Sequence, residues 1–174
     1  MNQALQNLLT RRSCRAYKDE QIKAEELNAV LEAGTYAPTG MGKQSPIIVS
    51  IQTPEIRNRV EKLNAAVMGN PDGHPFYGAP TLIVVFEDAS SPLGIADANL
   101  VIGNLLNAAN AVGLDSCYIW RAKEAFSGEE GKALKKEWNI PDHYEGAGNV
   151  ILGYGMPEGK REPAPRKADY IRRI

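Results

Sequence analysis

Cysteine and histidine are scarce in this chain of 174 residues, two of each, and that scarcity excludes several chemistries at once. Cys14 and Cys117 stand far apart in sequence, unlike the dense pairing of a small secreted disulfide scaffold, so a reducing, cytoplasmic setting is expected. Together with His74 and His143 they are scattered singly, which offers no metal-ligand spacing. There is no Gly-x-Ser-x-Gly elbow, and neither histidine has an evident partner, so a hydrolase triad is not expected. A charge excess is also missing: twenty Lys and Arg face twenty-one Asp and Glu, which argues against a nucleic-acid binder. No apolar run approaches the roughly 18–20 residues a membrane span requires. The amino-terminal stretch has no basic segment leading into an apolar one, so neither export nor a membrane is expected.

Two nucleotide motifs are nearly present and fail. Gly42-Lys43 has Ala37 where a phosphate loop needs glycine and Gln44 where it needs Ser or Thr. Gly153-Tyr154-Gly155 follows a strand-like run, but Glu158 replaces the third glycine and Pro157 intervenes. No separate dinucleotide-binding domain is encoded.

What is present has the composition of an ordinary globular chain, and its length predicts a single domain over residues 1–174. Leu5, Leu8 and Leu9 share one helical face at the start. Leu27, Val30 and Leu31 mark a second helix, ended by Pro38 and the glycines Gly40 and Gly42. Residues 46–51 read as a strand. Thr53-Pro54-Glu55 supplies a hydroxyl cap, a first-turn proline and an acid for a third helix buried through Ile56, Val60, Leu63 and Val67. Residues 81–86 are apolar on both faces and predict a central strand. A strongly apolar helix is predicted over 97–112, a short strand over 116–120 and a last strand over 149–154. Ser127-x-x-Glu130 reads as a capping box opening a helix that runs to Trp138. The tail from Gly155, interrupted by Pro157, Pro163 and Pro165, predicts an extended surface segment.

Two cationic clusters flank these elements, Arg11/Arg12/Arg15 near the start and Arg166/Lys167 near the end. Either alone fits a solvated surface, or the tail alone a surface for an acidic partner. A dianionic phosphate is held best by several converging cations and a hydroxyl, and Ser13 lies inside the first cluster. If the fold brings the two ends together, they form a phosphate clamp. The glycine-rich turn 37–44 is permissive enough to approach a flat ligand closely, though a plain helix-to-strand connection reads equally well.

Five segments in this order resemble the FMN-dependent nitroreductase family: Arg-Arg-Ser-x-Arg-x-Tyr at 11–17, Ala-Pro-Thr-Gly-Met-Gly-x-Gln-Ser-Pro at 37–46, Phe-Tyr-Gly-Ala-Pro at 76–80, Gly-Leu-x-Ser-Cys at 113–117, and Gly153-Tyr154 with Pro165-Arg166-Lys167. The resemblance covers essentially the whole chain. It implies an α+β fold, a mixed central sheet surrounded by helices, and an intertwined homodimer with FMN at the subunit interface. It further implies reduction by NAD(P)H and a small-molecule electron acceptor, with no nucleic acid and no membrane partner.

Carried over by position, the resemblance implies that Arg11, Arg12, Ser13, Arg166 and Lys167 face the phosphate and ribityl chain, with Arg15 and Asn64 at the pyrimidine edge. Pro38, Thr39, Gly40 and Gln44 would come from the partner subunit, and Tyr118, Ile119 and Trp120 would pass the ring. No protein acid or base is then required, because the flavin carries the hydride chemistry. Relatives often have Asn in place of Gly42, Trp in place of Tyr118 and a smaller residue in place of Trp120. Trp120 thus reads either as a neighbour of the ring or as a cap on the core. Alternatives to a ping-pong nitroaromatic or quinone reductase are a flavin reductase, enone reductase or dehalogenase on the same fold, or a non-enzymatic flavin sensor or carrier.

Overall fold

A computed structural model describes residues 2–174. In it, β2 (Thr81–Asp88) runs through the interior of a four-stranded sheet, beside β1 (Ile47–Ile51) on one side and β4 (Tyr144–Gly153) on the other, with β3 (Asp115–Ile119) outside β4. All three ladders are antiparallel. The expected mixed character survives only as an isolated parallel bridge between Ser13 and Ser116, which lays the amino-terminal segment along the free side of β3.

The doubly apolar run at 81–86 is explained by helices on both faces. Leu82, Val84 and Phe86 point into one core with Val60, Phe126 and Leu134, whereas Ile83 and Val85 point into a second with Val30, Val101 and Leu105. The first core lies under α3 (Pro54–Val67), α5 (Ala122–Ser127) and α6 (Glu129–Glu137). The second lies under α2 (Ala24–Thr35) and α4 (Gly94–Ala111). Phe86, Phe126 and Trp138 close the first core with edge-on and tilted ring contacts at centroid separations of 5.0–6.5 Å, a geometry the ring quadrupoles favour. α1 (Gln3–Thr10) buries none of its residues, and its three leucines stay exposed.

Several local signals were outweighed by tertiary contacts. Ser127 does not open a helix: it ends α5, where its hydroxyl donates to the Glu124 carbonyl, and Gly128 precedes α6. Thr53 occupies the cap position before Pro54 but its hydroxyl makes no capping bond. β4 starts at Tyr144, five residues before the expected strand, because pairing with residues 85–88 recruits a glycine-rich stretch of low strand propensity across a bulge. α4 starts three residues early, which puts Asp97 in its first turn. Beyond Lys160 the tail is exposed throughout, as an extended surface segment requires. Among the described residues no helix is long and apolar enough to cross a membrane.

Candidate functional site

The segment 11–18 is held as an added strand between β3 and the start of the tail. Cys14 N–H donates to Ser116 O at 3.0 Å, Arg15 N–H to Gly159 O at 2.8 Å, and Lys18 N–H to Tyr154 O at 2.9 Å. Met156 N–H returns a bond to Ala16 O. Gly159 is required here: a Cβ on it would lie 2.6 Å from Cys14 Sγ and 2.8 Å from the Ala16 backbone. Lys160 then grips both carboxylate oxygens of Asp115 at 2.9 and 3.0 Å. Cys14 and Tyr17 fill the space beneath. Burial raises the Cys14 thiol above its ordinary range, and burial likewise pushes up the Tyr17 phenol, whose hydroxyl donates to Cys14 O. Both remain neutral at physiological pH, so they pack rather than react.

This sandwich decides where the tail goes. Leu8, Leu9, Arg11, Arg12 and Ser13 line one groove of about 630 Å³ together with Pro163, Ala164, Pro165 and Arg166. The two ends of the chain therefore meet. Arg11 Nη1 is buried and, among the described residues, has no hydrogen-bond partner. Arg12 is committed differently, because its Nη1 donates to Leu9 O and Arg11 O, both at 2.8 Å, and closes the end of α1. Arg166 is exposed and bonds only to the carbonyl of nearby Ala164. Lys167 and Arg15 are exposed and do not line the groove. A buried guanidinium nitrogen with nothing to donate to suits an anion, since an unsatisfied charged donor is costly.

The turn lies elsewhere on the chain. Pro38, Thr39 and Gln44 line a second groove of about 580 Å³ with Tyr36 and Gly42, and the two grooves share no lining residue. Gly40 N–H donates to the buried carboxylate of Asp97 at 2.9 Å, and Gln44 N–H to Thr39 Oγ1 at 2.9 Å. Met41 and Gln44 both sit at positive φ, 56° and 51°, a conformation that costs a side-chain-bearing residue energy. Tyr144 Oη fixes the far end of the turn by donating to Ser45 O.

At the end of β3, Ile119 is buried while Tyr118 and Trp120 are exposed. Trp120 is 64% exposed, which removes the core-cap reading. Asn64 is fully buried and its carboxamide already serves the protein: Nδ2 donates to Trp120 O at 2.8 Å, and Oδ1 accepts from Arg121 Nε at 3.1 Å. Sequence reasoning passed over Asp97, Arg121 and Asn149, which hold the turn and the strand end. Asp97 reads from sequence as an ordinary helix acid. Arg121 carries no signal of its left-handed conformation, φ 75°. A single polar residue in the apolar run 149–152 was the one visible hint of Asn149.

The model of the nitroreductase family matches residues 8–154. The chain belongs to that family. It is 25% identical to an FMN reductase [NAD(P)H] of Bacillus subtilis, over 94% of this chain and 70% of the relative. Among solved structures it resembles a nitroreductase with bound FMN from Bacteroides fragilis, with 28% identity, complete coverage of both chains and a TM-score of 0.90. A nitroreductase with bound FMN from Desulfitobacterium hafniense is similar at 26% identity, covering 100% of this chain and 99% of that one, TM-score 0.89. A nitroreductase fold accounts for the antiparallel sheet between two helical layers.

Proposed function

We propose that this chain is an NAD(P)H-dependent FMN oxidoreductase, acting as a homodimer, that reduces nitroaromatic, quinone or similar small-molecule acceptors. The observation that carries the reading is the single groove in which Arg11, with its unpartnered buried nitrogen, meets Ser13 and Arg166. Cations and a hydroxyl drawn from both ends of one chain fit the phosphate of a mononucleotide. When bound, FMN would supply the redox chemistry between a reduced nicotinamide and the acceptor.

The protein's part is to bind, orient and exclude water. Arg11, Arg12, Ser13 and Arg166 hold the phosphate end, and Lys167, outside the groove, adds positive charge from the next position along the tail. Arg15 supplies positive charge at the pyrimidine edge, where negative charge grows on reduction. The turn residues Pro38, Thr39, Gly40 and Gln44 reach the site of the partner subunit, a reading supported by their separation from the cationic groove of their own protomer. Tyr118, Ile119 and Trp120 pass the ring, and Trp120 is free to face a substrate. Asn64 acts there through the Trp120 carbonyl it holds. We take the whole of residues 1–174 as one domain, and the two free buried thiols fit a reducing cytoplasm.

Purified protein is expected to be yellow and to bleach under anaerobic addition of NADH or NADPH, followed at the flavin absorbance. Colourless protein that ignores added FMN overturns the reading. Arg166→Ala is expected to weaken FMN binding; unchanged affinity would leave the tail as a surface for an acidic partner. A flavin reductase is the second reading, favoured by the resemblance to the Bacillus subtilis enzyme. Steady-state rates with free flavin, quinones and nitroaromatics separate the two.

A further inference from the structure

Ser116 is a polar residue at a core position of β3. Its register partner across the sheet is Leu152, which belongs to the core beneath α4, whereas the next pair, Cys117 and Ile151, turns to the opposite core. Side chains paired across a sheet share a face, so Ser116 points toward α4, into apolar surroundings. It is 2% exposed, and its hydroxyl has no hydrogen-bond partner among the described residues. Close packing under α4 does not explain a serine there, because alanine is smaller still and carries no hydroxyl to desolvate. A buried hydroxyl left unbonded is costly, which points to a partner engaged only in another state of the protein.

On its other side Ser116 faces Ser13. The two form the isolated parallel bridge that joins the amino-terminal segment to β3, and the Ser116 carbonyl accepts from the N–H of Cys14 at 3.0 Å. Ser13 therefore shares the face of Ser116, one strand further out, while Cys14 turns to the opposite core as Cys117 does. With strands about 4.8 Å apart, two serine hydroxyls that turn toward each other across such a pair come within hydrogen-bond reach. Ser13 is half-buried and lines the groove that holds Arg11 and Arg166, whereas Ser116 does not line it. A ligand in the groove touches the first serine and not the second.

We propose that Ser116 is a positioning residue of the phosphate clamp: when a phosphate occupies the groove, the Ser116 hydroxyl donates to Ser13 Oγ, and Ser13 turns its own proton onto a phosphate oxygen. A hydroxyl offers one donor and two acceptor sites, so Ser13 receives one bond and gives the other. The bond received polarises the bond given and strengthens it. The inference rests on the FMN reading above.

The test is a double-mutant cycle on the full chain freed of flavin, with Ser13→Ala, Ser116→Ala and the double variant, FMN affinity being read by isothermal titration. Ser116→Ala is expected to weaken FMN binding about three- to tenfold, the worth of one hydrogen bond. Ser13→Ala is expected to lose at least as much. Because Ser116 acts only through Ser13, the double variant is expected to bind within about twofold of Ser13→Ala alone. Losses that multiply would show two independent roles and overturn the inference, as would Ser116→Ala protein that binds FMN like wild type. Either result leaves the FMN reading intact. Wild-type protein that binds no FMN would overturn both.

Thermal melts of the flavin-free proteins separate positioning from packing. Removal of an unbonded buried hydroxyl is expected to leave Ser116→Ala melting at or above wild type. A variant that melts lower and also binds FMN more weakly would place Ser116 in the packing of β3 and overturn the inference. Riboflavin, which lacks the phosphate, supplies the last readout: its affinity is expected to be the same for wild type and Ser116→Ala. An equal loss for both flavins would overturn the assignment to the phosphate end.

Discussion

Arg11 and Arg12 are neighbours with opposite commitments. Arg11 leaves a buried nitrogen unpartnered, whereas Arg12 bonds two carbonyls at the end of α1. Replacing Arg11 with Met keeps the aliphatic stem and removes a donor that bonds nothing in the protein. FMN affinity is expected to fall about ten- to a hundredfold, the worth of a charge-assisted hydrogen bond, while the melting temperature of the FMN-free protein rises, because the unsatisfied donor is gone. Arg12→Ala is expected to cost roughly 1 kcal/mol of stability as well, because it frees the last carbonyls of α1. Isothermal titration and thermal melts separate the two cases. Glu87 shows the same logic through pH. Burial raises its carboxyl above the ordinary carboxylate range, with Glu145 adding to the effect. The folded protein therefore holds this proton more tightly than the unfolded chain, and stability declines as pH climbs from the unfolded value through the raised one. Glu87→Gln is expected to melt higher than wild type at pH 8, and the advantage is expected to close as pH falls toward 4.

Elements are held in register by single residues that reach across between them. The turn carrying Thr39, Gly40 and Gln44 is tied to α4 by Asp97, whose buried carboxylate receives Gly40 N–H. Asp97→Ala leaves that donor without its partner and is expected to lower stability by about 1–3 kcal/mol in denaturant titrations. Asp97→Asn, which retains an acceptor, is expected to recover most of it. At the other end, the added strand 11–18 is pinched between β3 and the tail at Gly159. A methyl group there must push the tail away from Ala16, so Gly159→Ala is expected to weaken FMN binding and lower the melting temperature together. Failure of either to move would show that the tail takes its course without this contact. The elements themselves were unevenly legible. The run 81–86 announced a buried strand because the five consecutive apolar residues Leu82 to Phe86 leave no polar face. The pair α5 and α6 was misjudged because Ser127 and Glu130 have capping-box spacing, yet the Ser127 hydroxyl found a nearer acceptor in Glu124 O.

For the whole molecule, the exposed surface of α1 is the unusual feature. Leu5, Leu8 and Leu9 are each more than half exposed, and Ile95 and Leu100 of α4 add to the apolar surface. The homodimer proposed above would bury these side chains, and in that reading the turn and the cationic groove meet across its seam. Leu5→Glu with Leu100→Glu is expected to yield a monomer by analytical ultracentrifugation and to release FMN with it. A monomeric double variant that keeps its flavin would separate binding from assembly.

The sequence by itself determined the list of parts: which runs bury, which turn is glycine-rich, and which cations and hydroxyl suit a phosphate. Those properties belong to residue types and their spacing, and they survive without knowledge of the fold. The tertiary structure alone decided which parts meet and which are already engaged. Arg11 and Arg166 share a groove because β3, Gly159 and Lys160 steer the tail back across the start of the chain. Asn64 was legible as a polar residue but not as the holder of the Trp120 carbonyl, and Asn149 was hidden in an apolar strand. The reason is that a hydrogen bond between residues 56 or 29 positions apart leaves no trace in local pattern. Its partners become neighbours only when hydrophobic burial closes the chain around them.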